Sequence, residues 1–281
     1  MKKRHTLILL LLGVMAVLIL LPVIMTFLYS FFSPREISDF MKTRNNYGET
    51  LMEVKLYPRM FSLDQYWRVL IEDMSILRYY FNSILYTLAI LLGQAVIIPA
   101  LAYALSRFQF PGRDALSFLV IMLLLLPFQV TMVPTVLMLR NLGLMDTAWA
   151  IILPSIASPF YVFLLRQSMI GIPNELFEAA QMDGAGPIRC YFHIALPVSK
   201  AILGAAVALS FADCWNMVEQ PLVFLPSKTA LYPLSVAFNQ LSQESTGMEF
   251  AGAALYLLPA LMIYFFFQEN IMTGIQLSEM K

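Results

Sequence analysis

The chain has 281 residues, of which 59% are hydrophobic and 13% are charged, and its formal net charge is zero. A soluble globular domain is about 45–50% apolar and about 25% charged, so this composition predicts an integral membrane protein. The neutral charge argues against a nucleic-acid partner. Two cysteines and two widely separated histidines predict neither a disulfide framework nor a metal site.

Six apolar stretches are long enough to cross a bilayer, which takes about 20 mostly apolar residues. The first has no charge and exceeds the apolar core of a secretory signal, which is about 7–15 residues, so we interpret it as an uncleaved anchor. No change in composition marks a second soluble domain. We therefore predict an all-α bundle of six transmembrane helices, with residues 1–281 forming a single domain and spans at about 6–32, 81–106, 115–139, 147–165, 201–220 and 250–267.

The distribution of basic residues predicts that the N-terminus and the C-terminus lie in the cytoplasm. With that orientation nine Lys and Arg residues lie inside and nine outside, but seven of the outer ones belong to the long loop 33–80, which also carries seven acids. When that loop is left aside, the count is nine against two, in the direction of the positive-inside rule.

The long outer loop is predicted to contain a short amphipathic helix. Ser62 to Gln65 has the S-x-x-Q pattern of a capping box. Four apolar or aromatic residues follow at helical spacing, Tyr66, Trp67, Leu70 and Ile71. They fit a helix that lies on the outer membrane surface, and they fit equally a helix that simply packs against the protein.

No sequence motif for nucleotide hydrolysis or covalent catalysis is present: the chain lacks G-x-x-x-x-G-K-[ST], H-E-x-x-H and G-x-S-x-G. Charges inside spans usually mark ion or proton pathways, and only Asp213 and Glu219 fall inside a predicted span. This scarcity predicts a non-enzymatic conduit whose energy comes from elsewhere.

A polar stripe is predicted near the outer end of the fifth span. Asp213, Asn216 and Gln220 stand at i, i+3 and i+7, so they would share one face of a helix. A path-lining or gating role and simple inter-helix hydrogen bonding both fit this pattern. The same two interpretations apply to polar residues in other spans, which are Gln94, Gln129 and Ser155.

The segment 166–200, which we call the coupling loop, is predicted to form two short helices on the cytoplasmic side. It is much longer than a simple connection of about 2–8 residues. The first helix is expected to begin at Pro173 and to end at Gly184, where glycine adopts a left-handed conformation at low cost. The second is expected to begin at Pro187 and to stop at Pro197.

This loop resembles the EAA loop of binding-protein-dependent ABC importer permeases. Glu-Ala-Ala, three residues, a glycine, nine residues and Ile-x-Leu-Pro reproduce its spacing, and residues 81–113 are similar to the carbohydrate class, which includes the maltose-type G subunit. Met217 departs from the pattern, since an acid often stands there. The resemblance implies a coupling helix that docks on an ATPase through Glu178, Ala179, Ala180, Asp183, Gly184, Ile194, Leu196 and Pro197.

The resemblance also implies a type I ABC importer permease in the cell's cytoplasmic (inner) membrane, taking up a sugar, an oligosaccharide or a polyol phosphate. Its partners would be ABC ATPase subunits, a second permease chain, an extracytoplasmic substrate-binding protein and membrane lipid. ATP and Mg would be bound by the ATPase, with no cofactor on this chain. A stand-alone carrier or channel is the alternative, and the scarcity of charge in the spans argues against it.

Overall fold

The computed structural model describes the backbone of residues 2–37, 57–72, 74–238 and 248–279. These residues are helical with no strand among them. Residues 38–56 of the long outer loop lie outside the described part. The chain divides into two compact units, residues 1–79 with 237–259 and residues 80–236 with 260–281. The single-domain organisation stays a prediction.

The helices have the following bounds in chain order. They are α1 Lys2–Tyr29, α2 Asp64–Trp67, α3 Met74–Arg107, α4 Arg113–Leu125, α5 Phe128–Asn141, α6 Ala148–Ile156, α7 Pro159–Ile170, α8 Asn174–Met182, α9 Pro187–Cys190, α10 Leu196–Val198, α11 Lys200–Trp215, α12 Glu219–Phe224 and α13 Glu249–Glu279. Short π-helical turns occupy Arg68–Glu72 and Tyr191–Ala195, and a 3₁₀ turn occupies Thr229–Leu231.

The described residues contain four apolar stretches that are long enough to cross a membrane, together with two sharply bent helix pairs. The pairs are α4 with α5, bent by 110°, and residues 187–198 with α11, bent by 73°. Counting each pair as one span gives the six predicted spans. The other four are Ile8–Tyr29, Met74–Arg107, Ala148–Ile170 and Glu249–Asn270.

The predicted third span, 115–139, is not one continuous helix. Pro127 disfavours the helical region for the preceding residue, and Leu126 has the extended values φ −77° and ψ 124°. Helix α4 therefore ends at Leu125, and α5 begins at Phe128 in a different direction.

The predicted fifth span, 201–220, is also interrupted. Helix α11 ends at Trp215, and the Asn216 side chain donates a hydrogen bond to the Ala212 carbonyl oxygen at 2.9 Å. Gln220 lies in the separate helix α12. The prediction that Asp213, Asn216 and Gln220 share one helix face is therefore wrong, because the helix terminates between the first residue and the last.

In the first unit, Gln65 is buried and does not take part in a capping box. Its amide donates to the carbonyl oxygens of Tyr29 at 2.7 Å and Phe32 at 2.8 Å. The residue before α2 is Leu63, which provides no side-chain cap. The capping-box prediction is wrong because burial directs the Gln65 carboxamide toward backbone carbonyl oxygens at the end of α1 rather than toward its own helix.

The core of the second unit lies where α3, α7 and the coupling loop meet. Ala102, Leu165 and Met169 are fully buried there, and Phe177 of the coupling loop packs with them. This shared core attaches the coupling loop to the apolar helices.

Candidate functional site

The first half of the coupling loop is the helix α8, which closes with a glycine turn. Gly184 has φ +80°, its N–H donates to the Gln181 carbonyl oxygen at 2.9 Å, and the Ala185 N–H donates to the Ala180 carbonyl oxygen at 2.9 Å. These two bonds define a Schellman motif, so the predicted end of the helix is confirmed. The predicted start is wrong by one residue, because Pro173 has ψ 139° and precedes the helix as its N-cap.

Helix α8 has an inner face and an outer face. Phe177 is buried and Ala180 is partly buried against the core cluster. Glu178, Ala179 and Met182, which we call the docking face, are exposed, and Met182 reaches 88% exposure. The two alanines of the EAA sequence therefore differ: Ala179 lies on the surface, whereas Ala180 packs toward the protein's own core.

Arg107, the last residue of α3, joins that helix to the coupling loop. Its guanidinium donates hydrogen bonds to the carbonyl oxygens of Met169 and Ile172 and to Asn174 Oδ1, the latter two at 2.6 Å. Its Cζ atom lies 4.1 Å from the centroid of the Phe177 ring, a distance typical of a cation–π contact. Arg107 therefore clamps both the entry and the inner face of α8. This role of Arg107 is not visible in the sequence, because a basic residue at the end of a span usually only sets orientation.

The second half of the coupling loop is anchored to the core along one face. Pro187 is at the first position of α9, as predicted, and its carbonyl oxygen accepts a hydrogen bond from the Tyr103 hydroxyl at 3.1 Å. Ala195 is fully buried, while Ile194 and Leu196 pack against the core cluster.

The predicted stop of this second helix at Pro197 is wrong. Pro197 is exposed and lies inside the last helical turn, Leu196–Val198. A proline in the first turn of a helix costs no hydrogen bond, so the helical path continues to Val198 and then bends into α11.

The exposed surface of the coupling loop is unusually apolar for a segment that contains so many polar residues. Ile188 is 74% exposed and Phe192 is 58% exposed, and both stand apart from the buried face. Asp183 and Arg189 are also exposed. A large exposed apolar patch bordered by charges is typical of a protein–protein contact.

The second unit also contains a cavity of about 440 Å³, which we call the transport cavity. Asp213 and Gln220 line it, and Asn216 does not. Of the other polar residues noted in the sequence, Gln94 and Ser155 line it, whereas Gln129 instead donates to the Glu219 carboxylate at 3.2 Å. The cavity thus collects polar side chains from α3, α6, α11 and α12.

Two hydrogen-bonded groups shape the wall of the transport cavity. The Tyr161 hydroxyl donates to Asp213 Oδ2 at 2.6 Å. Gln94 accepts a short hydrogen bond from the Ser210 hydroxyl and donates to the Ser155 carbonyl oxygen at 2.8 Å. The role of Tyr161 was missed from the sequence, because one tyrosine in an apolar span carries no signal of its own.

In the described part of the chain, no group of three or more His, Cys, Asp or Glu residues could hold a metal ion. The two cysteines, Cys190 and Cys214, are free thiols and both are buried.

The helical bundle, the docking face and the transport cavity together define a membrane transport permease. The family of binding-protein-dependent transport system inner membrane components matches residues 95–275, well over half of the chain. The chain belongs to this family.

Relatives with curated names include the arabinooligosaccharides transport system permease protein AraQ of Bacillus subtilis, 28% identical over 82% of this chain and 83% of that protein. The sn-glycerol-3-phosphate transport system permease protein UgpE of Pectobacterium atrosepticum is 31% identical over 70% of this chain and 72% of that protein. These alignments span most of both chains, so this chain is similar to whole permeases rather than to a fragment.

A solved bacterial ABC transporter involved in the import of the acidic polysaccharide alginate shares the fold. The superposition has a TM-score of 0.78 at 24% identity and covers 95% of this chain and 96% of the other. A second structure, the bacterial alginate transporter in complex with alginate pentasaccharide-bound periplasmic protein, matches with a TM-score of 0.62 at 17% identity, covering 94% and 93%. The predicted fold, an all-α type I ABC importer permease, is confirmed.

Proposed function

We propose that this chain is the permease subunit of an ATP-driven importer that moves a sugar, an oligosaccharide or a polyol phosphate into the cell. The docking face of α8, held by Arg107 against the end of α3, is the observation that carries the proposal. Named relatives that transport arabinooligosaccharides and glycerol phosphate support the substrate range.

In this proposal the coupling loop docks on an ABC ATPase subunit. Exposed Glu178 supplies a charge for a basic group on the ATPase, and Ala179 allows close approach because it has no bulk beyond Cβ. Ile194, Leu196 and Pro197 act indirectly, since the first two hold the loop on the core. Asp183 and Gly184 set the direction in which the chain leaves the docking helix.

ATP hydrolysis takes place on the partner, and the movement reaches this chain through α8. Arg107 transfers a displacement of α8 to α3, and the same helix carries Gln94 into the wall of the transport cavity. The two residues are 13 positions apart, on the order of 20 Å along a helix. A displacement at the docking face is thereby converted into a change at the cavity.

The complete importer requires further chains. One coupling loop serves one ATPase subunit, so two ATPase subunits require a second permease chain. An extracytoplasmic binding protein delivers the substrate, as suggested by the solved complex of a related fold with its periplasmic protein. ATP and Mg belong to the ATPase, this chain binds no cofactor of its own, and both termini lie in the cytoplasm.

Co-purification tests the assembly. The tagged chain is extracted in mild detergent from its host, and we expect an ATPase with a phosphate-binding P-loop and a second multi-span chain in stoichiometric amounts. A folded chain that purifies alone would contradict the proposal and favour the stand-alone carrier.

A charge reversal tests the docking face. Glu178→Arg should reduce uptake about tenfold or more and release the ATPase during purification, because one unfavourable charge at a buried contact costs about 1.4 kcal/mol or more. Asp114→Arg is the matched control: its side chain is 85% exposed and lies in the first turn of α4, outside the docking face. Equal uptake by the Glu178 variant and the control would remove Glu178 from the mechanism.

A further inference from the structure

We infer that the transport cavity accepts an uncharged, hydroxyl-rich ligand, a segment of a neutral oligosaccharide, and rejects phosphate esters and uronates. The inference rests on the proposed function and narrows its substrate. Four features of the cavity carry it: the hydrogen-bonding groups in its wall, its apolar surface, its charge, and the helix breaks that surround it.

The cavity wall presents neutral groups that both donate and accept hydrogen bonds. Gln94 and Gln220 contribute carboxamides, while Thr131, Thr135 and Ser158 contribute hydroxyls. The Thr131 and Thr135 hydroxyls donate to the carbonyl oxygens of Phe128 at 3.0 Å and Thr131 at 2.8 Å, so they present acceptors to a ligand. Gln220 and Ser158 can both donate and accept, which matches a sugar hydroxyl, itself both. A phosphate or carboxylate, in contrast, offers acceptors only and requires a wall rich in donors.

Apolar surface completes the match to a sugar. Phe128 and Phe224 both line the cavity, with ring centroids 6.5 Å apart. Ligand sites generally combine such apolar walls with a few oriented polar groups. The C–H faces of a sugar ring can lie against the aromatic surface while its hydroxyls reach the polar wall.

The charge of the cavity disfavours an anion. Asp213 is the one ionisable acid among the lining residues, and no Lys, Arg or His of the described chain lines the cavity. Tyr161 holds the Asp213 carboxylate at the wall through a 2.6 Å hydrogen bond. An anionic ligand would meet a like charge there with no cation to compensate for it, and like charges in such a site are strongly unfavourable.

The cavity lies where helices are interrupted, which indicates that it contains water. Leu126, Ala157 and Met217 line it, and each stands at a break, between α4 and α5, α6 and α7, and α11 and α12 respectively. Non-helical backbone at membrane depth is tolerated where it lines a water-filled cavity, and transporters build substrate sites from discontinuous helices. The freed backbone groups add further hydrogen-bonding positions for a neutral polar ligand.

Thiol labelling measures the charge of the cavity directly. Ala157 is exposed in the cavity and lies on the break itself, so Ala157→Cys places a small reporter there. Cys214 also lines the cavity, so Ala157→Cys is introduced together with Cys214→Ala, and the chain with Cys214→Ala alone is the blank. Cys190 is buried and does not line the cavity. Cationic trimethylammonium-ethyl and anionic sulfonato-ethyl methanethiosulfonate are applied to the purified complex, and each rate is divided by its rate with a small thiol in solution.

We expect the cationic reagent to react about fivefold faster than the anionic one after this correction, the order expected for one charge acting across a water-filled space. Adding Asp213→Asn should bring the ratio close to one. A corrected ratio at or below one in the Ala157→Cys chain would overturn the inference.

Ligand protection identifies the class of substrate. Short neutral oligosaccharides, sn-glycerol 3-phosphate and uronate oligosaccharides are tested separately on the complex carrying Ala157→Cys, with a neutral methanethiosulfonate as the reagent. We expect protection by a neutral oligosaccharide and none by the two anions. Protection by either anion would overturn the inference, and so would the absence of protection by every probe.

The two proposals fail in different ways. If no probe protects Ala157→Cys while the ATPase and the second permease chain are present, the cavity does not hold the substrate, and the proposed function stands. If the chain purifies alone, the proposed function itself fails and this inference fails with it.

Discussion

Replacing Arg107 by methionine should uncouple ATP hydrolysis from transport. Methionine retains the apolar stem of arginine but removes hydrogen bonds to the carbonyl oxygens of Met169 and Ile172 and to Asn174 Oδ1. It also removes the contact with the Phe177 ring. The docking face is unchanged by this substitution, so the ATPase should still bind.

The magnitude follows from the lost contacts. A hydrogen bond to a charged group contributes about 1.5–3 kcal/mol. Because Arg107 is partly exposed, we take the lower value for each of its three bonds. We then count about half of the sum, because the effects of neighbouring contacts are not additive. The loop should therefore lose about 2 kcal/mol of its attachment to α3, which corresponds to a factor of about 30 in the population of the attached state.

The assay is the number of ATP molecules hydrolysed per substrate molecule imported by the reconstituted complex. For Arg107→Met we expect this ratio to rise about tenfold or more. This value is below the 30-fold change in attachment because other steps also limit transport. Arg107→Lys should be intermediate, because it retains the charge but loses the planar donor fork.

Arg113→Met is the matched control. This arginine is the first residue of α4, and among the described residues it pairs with its exposed neighbour, with Nη2 2.9 Å from Asp114 Oδ1. Pairs of this kind contribute about 0–1 kcal/mol, so the ratio should stay unchanged. Normal coupling in an Arg107→Met complex that retains its ATPase would refute the role assigned to Arg107, and loss of the ATPase would show that Arg107 supports docking instead.

Three further substitutions test the packing and the backbone. Gly184→Ala should destabilise the coupling loop by about 1 kcal/mol and raise its trypsin sensitivity. The cost comes from the backbone angle φ of +80° alone, because no atom lies close enough to obstruct a methyl group. Gly186→Ala is the control, because φ is −74° there and the trypsin sensitivity of the loop should change little. Gly204→Ala should lower the melting temperature in detergent, because the new Cβ would stand 2.8 Å from Asn270 Cγ, and adding Asn270→Ala should restore it. Gln65→Leu should lower the melting temperature more than substitution of an exposed residue, because the Phe32 carbonyl oxygen loses its buried hydrogen bond at a cost of about 1–3 kcal/mol, whereas the Tyr29 carbonyl oxygen keeps the bond from the Phe32 N–H.

Each of these three has a result that contradicts it. Equal trypsin sensitivity of the two glycine variants would show that the left-handed turn is not strained by a side chain. A melting temperature that the second substitution at Asn270 fails to restore would locate the Gly204 effect elsewhere. A Gln65→Leu chain as stable as the unmodified one would mean that water satisfies the Phe32 carbonyl group.

The helices themselves were largely predictable from the sequence. The length and composition of an apolar stretch decide whether it can cross a membrane, so the spans within α1, α3 and α13 were found without knowledge of any contact. The end of α8 was predictable for a local reason as well, because Gly184 adopts a conformation that other residues rarely adopt.

The interruptions were not predictable in the same way. Pro127 is visible in the sequence, yet proline also occurs inside the intact helices α3 and α13, so its presence does not decide between a continuous helix and a 110° bend. Trp215 ends α11 with neither glycine nor proline beside it. In both places the outcome depends on which neighbouring groups satisfy the freed backbone.

For the functional site as well, some features follow from the sequence and others only from the tertiary structure. The sequence by itself determined the membrane class, the extent of the apolar helices and the EAA pattern of the coupling loop, because these depend on composition and on spacing along the chain. Only the tertiary structure decided that Ala179 is exposed while Ala180 is packed, that Arg107 clamps α8, and that Tyr161 and Asp213 meet in one cavity. Those relations join residues between 1 and 70 positions apart, and their geometry depends on how helices pack rather than on any local preference of the chain.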